Sequence, residues 1–180
     1  MEQKMYTRAG DQGKTRYCNG QQVGKEDVRI QAYGEIDELN SFTGWALSSA
    51  GEFEGIQEIL EKIQNQLFIA SAELANPEES KHKILDKHVQ ELENICDSIG
   101  TEVGELTKFI LPQGTELSTR MQVCRTVCRR VERKIVELNE KEKLNSELLK
   151  YINRLSSVFF QLARLANHRK KIAEKNPTYL

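Results

Sequence analysis

Residues 6–16 read YTRAGDQGKTR and place two glycines, one lysine, two arginines and two threonines in a stretch with almost nothing apolar. Glycine lets a backbone approach a ligand closely, and successive N–H groups in such a turn form a nest for anions. With cations and hydroxyls added, the chemistry that suits this segment is the holding of a polyphosphate. Gly13-Lys14-Thr15 echoes the end of a P-loop, but G-x-x-x-x-G-K-[ST] requires glycine where this chain has Arg8, and no βαβ unit follows. A solvated N-terminal arm is the competing reading. The donors available to phosphate here are Gly10, Gly13, Lys14, Thr15 and Arg16.

A second set of chemical groups lies far along the chain. Arg125, Arg129 and Arg133 recur at i, i+4 and i+8, with Arg130 and Glu132 beside them. On a helix this row flanks an apolar stripe of Met121, Cys124, Cys128, Val131 and Ile135. Guanidinium forks bordering a core are partly desolvated, where they grip carboxylates or phosphates well. The alternative is an exposed basic face paired with carboxylates such as Glu137, each pair worth about 0–1 kcal/mol. Asn153 and Arg154 interrupt the apolar run YINRLSSVFF, and Asp37, Glu38 and Asn40 interrupt YGEIDELNSFTGW. A core-bordering asparagine reads a base or ribose edge, or it satisfies neighbouring backbone. A carboxylate beside a core stripe, such as Asp37, calls for an arginine, and the later row supplies candidates.

Other chemistry finds little purchase. Glu79-x-x-His82 is half of a di-iron carboxylate motif without a second copy, and His88 and His168 lack an acid three positions earlier. Cys124 and Cys128, four apart on an apolar stripe, read as small hydrophobes. No metal held by protein side chains is expected, and no Ser/His/Asp or Cys/His arrangement stands out.

The elements that must position these groups are helical. Apolar residues recur at helical spacing over 27–50, 53–75, 82–99, 116–139 and 145–170, with breaks near Pro77 and Pro112. No strand pattern is convincing. Five long amphipathic segments with short breaks predict an all-α fold, a five-helix antiparallel bundle preceded by a phosphate-binding arm. The chain reads as one domain: arm 1–26, bundle 27–170 and tail 171–180. The longest interhelical loop is 100–115, GTEVGELTKFILPQGT, whose FIL run before proline is placed to pack against something other than a neighbouring helix.

Bulk properties narrow the class. With 180 residues, 38% hydrophobic and 29% charged, the chain is long enough to bury a real core. A formal net charge of −1 carries no footprint of a nucleic-acid binder. No run reaches transmembrane length and no signal-peptide core precedes the arm. Four cysteines without CxxC spacing fit a reducing cytoplasm.

Taken in order, YTRAGDQGKT, Lys25 within GKEDVRIQAYGEIDELNS, KFILPQGT, CRTVCRRVER and YINRLS resemble the PduO-type ATP:cob(I)alamin adenosyltransferases. The resemblance runs from about residue 6 to 166. It implies a homotrimer of five-helix bundles with sites between subunits. The implied reaction moves the 5′-deoxyadenosyl group of ATP to the cobalt of a reduced corrinoid such as cobalamin, releasing triphosphate. Thr7, Arg8, Ala9, Gly10, Thr15, Arg16 and Lys25 would wrap the triphosphate. Arg129, Arg130, Val131, Glu132, Arg133 and Asn153 would complete the ATP site. Asp37 would pair with Arg125 across a subunit contact. Phe109, with Pro112 beside it, would lie under the corrin and displace its lower axial ligand. A magnesium ion carried mainly by phosphates and water, and an electron-donating reductase, are implied as well. The pattern departs from the family at Gln113, Gln122 and Cys124. An alternative keeps ATP and corrinoid binding without efficient transfer, as a sensor or chaperone, and a third reading is a purely structural bundle.

Overall fold

The computed structural model describes residues 5–77 and 80–178. Five helices dominate: α1 Val28–Leu47, α2 Ile56–Ala75, α3 Asp86–Val103, α4 Glu116–Lys141 and α5 Ser146–Arg169. Helices α1, α2 and α5 lie within the expected segments, while α3 starts later and runs four residues further than its apolar repeat and α4 runs two further. Helix α1 packs on α2 and α4, α4 on α5, and α5 on α3. The arm departs from expectation, because β1 Lys14–Arg16 and β2 Gln22–Gly24 form an antiparallel pair. Strands of three residues show no readable alternation, so the pattern escapes detection in the sequence. Glu79 of the half di-iron motif lies outside the described residues, as do the last two residues of the tail.

Caps set where the helices begin. Asp27 accepts from the amides of Arg29 at 2.8 Å and Ile30 at 3.4 Å, starting α1 directly after the arm. Thr115 accepts from Ser118 N at 3.0 Å, and Asn145 from Glu147 N at 3.0 Å, starting α4 and α5. Each satisfies an orphan amide and contributes about 1 kcal/mol. The apolar repeat supplies the core: Ile36, Leu39, Leu60, Ile63, Leu67, Met121, Cys124, Val131, Leu155, Phe159 and Leu162 are all buried, whereas Leu85 before α3 is exposed. Two polar networks cross the core. Tyr151 donates to Gln66 Oε1 at 2.9 Å, and Gln66 donates to Glu91 Oε2 at 2.8 Å. The Glu73 carboxylate receives Ile84 N and Asn145 Nδ2, each at 2.8 Å, tying α2 to the α2–α3 connection and to the start of α5.

Candidate active site

The arm is a compact unit built on glycine. Gly13 has φ 73°, and Arg8, without glycine's freedom, is held at φ 61°. A left-handed arginine costs free energy and persists only where its surroundings impose it. Here Thr7 Oγ1 accepts from Ala9 N at 3.4 Å, and the carbonyls of Arg8 and Gly10 accept from Asp11 N and Gly13 N. Lys25 N donates to Gly13 O at 2.9 Å, closing the loop against β2. A Cβ on Gly10 would stand 3.0 Å from Lys25 Nζ, so the ammonium lies close against the glycine. Thr15 pairs with Val23 in the hairpin, and Arg16 Nη1 donates to Gly20 O at 3.3 Å. Arg8, Lys14, Arg16 and Lys25 form no ion pair among the described residues.

Tyr17 fastens this arm to the bundle. Its hydroxyl donates to Asp27 Oδ1 at 2.6 Å and its ring lies 5.6 Å from the Arg29 guanidinium. Burial and the neighbouring Asp27 carboxylate push the phenol up to about 12. Burial alone would raise the Asp27 carboxyl. The Tyr17 hydroxyl and the two helix amides outweigh that, and hold it below the usual range. Arg29 is spent elsewhere, on Leu74 O at 2.8 Å and on Glu142, so the cleft of about 330 Å³ around it offers no free cation.

The arginine row on α4 divides by partner. Arg130 is committed to Glu38, with Glu35 at 3.7 Å, and not to Asp37. Asp37, between those two glutamates in sequence, is exposed and has no ion pair among the described residues. Arg133 donates to Arg129 O at 3.0 Å. Val131 is fully buried, so within 129–133 it packs into the core while its neighbours face outward. Glu132 accepts from Asn153 Nδ2 at 2.6 Å, which places the α5 asparagine beside the row. Arg125, half-buried, donates to Gln122 Oε1 at 2.7 Å, and no carboxylate among the described residues pairs with Arg125 or Arg129. Both arginines line an open cavity of about 300 Å³ with Ser156, Ser157, Phe160 and Gln161. Burial, then the positive charge of Arg129, lowers the Arg125 pKa. Two arginines without a carboxylate partner give this cavity a positive potential, which suits an anion.

The serines, Phe160 and Gln161 went unnoticed in the sequence. Their signal was present, since positions 153, 156, 157, 160 and 161 share one face of α5. Three of the four cysteines are withdrawn as nucleophiles. Burial pushes Cys96 up to about 11 and Cys124 up to about 12, and Cys128 donates to Ile152 O at 3.3 Å. At the far end of the bundle Phe109 is 81% exposed, with Pro112 also exposed. Gly114 at φ 131° lets this loop press against Asn167, where a Cβ would overlap the carboxamide. Among the described residues no group of three or more His, Cys, Asp or Glu is placed to hold a metal, and no helix is long and apolar enough to cross a membrane.

Comparison with known proteins gives the family. The sequence model described as cobalamin adenosyltransferase matches residues 5–166. The corrinoid adenosyltransferase of Bacillus subtilis is 39% identical and covers 95% of this chain and 90% of its own length. The cobalamin adenosyltransferase of Cupriavidus metallidurans is 40% identical, covering 91% of this chain and 88% of its own. A phenylalanine-to-alanine variant of a PduO-type ATP:corrinoid adenosyltransferase from Lactobacillus reuteri, solved with cobalamin and ATP, superposes with a TM-score of 0.91. It is 38% identical and covers 98% of this chain and 100% of its own. An arginine-to-lysine variant of that enzyme, solved with ATP, gives 0.90 at 37% identity, covering 97% of this chain and 100% of its own. Its replaced arginine lies twenty positions after the phenylalanine. On the match of the family model and of whole-length relatives, this chain belongs to the cobalamin adenosyltransferase family.

Proposed function

We propose that the protein transfers the 5′-deoxyadenosyl group of ATP to the cobalt of a reduced corrinoid, releasing triphosphate. The observation that carries this reading is the pair of uncompensated cationic surfaces, one on the arm and one on α4. Phe109 and Arg129 add support, standing at the same twenty-residue separation as the two positions altered in the Lactobacillus reuteri variants.

In this reading the arm and the bundle divide the labour. Thr7, Arg8, Ala9, Gly10, Thr15, Arg16 and Lys25 grip the triphosphate through N–H, hydroxyl and ammonium groups. Arg129, Arg130, Arg133, Glu132 and Asn153 complete the nucleotide site from the bundle of a neighbouring subunit, with Val131 packing the run from beneath. Asp37 of one subunit meets Arg125 of the next, which gives each the ion-pair partner it lacks among the described residues. The oligomer is a homotrimer. Reduced cobalt attacks C5′ with its own electron pair, the C5′–O bond breaks, and the pair leaves with triphosphate. No side-chain nucleophile is needed. Preorganised cations stabilise the charge that develops on the leaving group, and the cavity aims C5′ at the metal. A magnesium ion would be carried by the phosphates and water, and would add positive charge against the leaving triphosphate. Phe109 faces the corrin and excludes the lower axial ligand, easing the preceding one-electron reduction, with the electron supplied by a reductase. Four free cysteines and a reduced substrate suit the cytoplasm.

The test is a split between two variants under chemical reduction. Arg129→Ala loses ATP binding or turnover severely. Phe109→Ala keeps ATP binding and loses cobalt reduction. Wild-type behaviour from both, with folding confirmed, would refute the assignments.

A further inference from the structure

We infer that residues 172–176, which follow α5, act as a strap that positions the Phe109 loop, with Glu174 and Asn176 as its positioning residues. The inference rests on the reading of Phe109 given above. After Arg169 the chain reverses through Lys171 at φ 56°, and Ile172 N returns to Asn167 O at 2.9 Å. Glu174 then meets Arg164 Nε at 3.2 Å. Arg164 is only 5% exposed and also donates to the carbonyls of Gly104 at 3.1 Å and Val103 at 3.5 Å, at the end of α3. One buried guanidinium therefore fixes both the start of the 104–115 loop and the strap. Two residues further on, the strap touches the loop itself. Leu111 N donates to Lys175 O at 2.8 Å, and Asn176 Nδ2 donates to Phe109 O at 2.8 Å. From the opposite side Asn167 holds Gln113 O and Thr115 N, each at 2.9 Å.

The Phe109 ring is almost wholly exposed, so side-chain packing does not set its place. Backbone anchors must do so, and the strap supplies those nearest the phenylalanine. A loop meeting an apolar macrocycle with one exposed ring gains from being held in place before the substrate arrives. Asn176 and Glu174 reach the chemistry only through Phe109, which makes them positioning residues.

The test uses the full chain carrying Glu174→Gln, Asn176→Asp or both, beside Phe109→Ala. Each is assayed for melting midpoint, KM for ATP, kcat, and the share of bound cob(II)alamin without its lower axial ligand, read from visible absorption. In the double variant the expected result is a loss of about three- to tenfold in kcat and in that share. This is the scale of about one neutral hydrogen bond, that of Asn176 to Phe109 O. KM for ATP should stay within about twofold, since those bonds lie outside the nucleotide site. Asn176→Asp leaves Arg164 paired, so it reports on the loop without disturbing the α3 end. Wild-type kcat and spectrum in the double variant would overturn the strap, as would an equal loss of ATP affinity. If Phe109→Ala itself keeps the wild-type spectrum, the reading of Phe109 falls first and the strap's role falls with it.

Discussion

Replacing Asp27 with alanine removes the joint between arm and bundle, and the structure sets the size of the effect. The carboxylate caps α1 through Arg29 N and Ile30 N and receives the Tyr17 hydroxyl at 2.6 Å. Loss of an N-cap costs about 1 kcal/mol, and a hydrogen bond to a charged group is worth about 1.5–3 kcal/mol. Asp27→Ala should therefore destabilise by about 2–4 kcal/mol. For a chain of this size that lowers the melting midpoint by about 5–12 °C. Asparagine caps as well as aspartate, so Asp27→Asn should lose only part of the Tyr17 link, about 1 kcal/mol. The assay is thermal unfolding at one fixed protein concentration, since an oligomer's midpoint moves with concentration. Tyr17→Phe completes a double-mutant cycle. Because Tyr17 directly follows β1, the same variants should raise KM for ATP while sparing kcat at saturation. An Asp27→Ala protein that melts with wild type and keeps its KM would refute the joint.

Further outcomes follow from other contacts. Gly114→Ala forces a Cβ into the Asn167 carboxamide at φ 131°, and should cost about 1–3 kcal/mol and disturb cobalt reduction more than ATP binding; unchanged melting would refute the close approach. Asp37→Arg and Arg125→Asp should each lower activity, and the double exchange should recover part of it if the two meet across subunits; a double variant no better than either single one would contradict that pairing. Alkaline difference spectra should show one phenol, absent in Tyr17→Phe, ionising at about 12. Since that value is raised, its share of stability is complete below pH about 10 and fades as pH climbs through the folded value. The Asp27 carboxyl is depressed, so its share is present above pH about 4 and is lost as pH falls through its folded value.

How far the sequence carried is plain from particular residues. Helix positions followed from the 3.6-residue repeat because tertiary packing agreed with it, and Asp27, Thr115 and Asn145 are ordinary cap types at the helix starts. The hairpin was invisible, since KTR and QVG are too short to show alternation. The arginine row was legible as a face, but its division was not. Periodicity places Arg130 beside Arg129 and cannot say that Glu35 and Glu38 claim one and leave the other open. Residues 172–176 carried no periodic signal at all. Their contacts with the Phe109 loop arise from a chain reversal at Lys171, a residue type that rarely adopts positive φ. Gln122 showed only as a polar residue among apolar ones, and its bond to Arg125 became visible with the fold.

The decisive measurement follows both halves of ATP through one turnover with chemically reduced cobalamin. The expected result is adenosyl label in a light-sensitive cobalt product and the phosphorus recovered as intact triphosphate, one for each cobalt adenosylated. Recovery of diphosphate and phosphate during turnover, or no adenosyl label on cobalt from folded protein, would contradict attack at C5′.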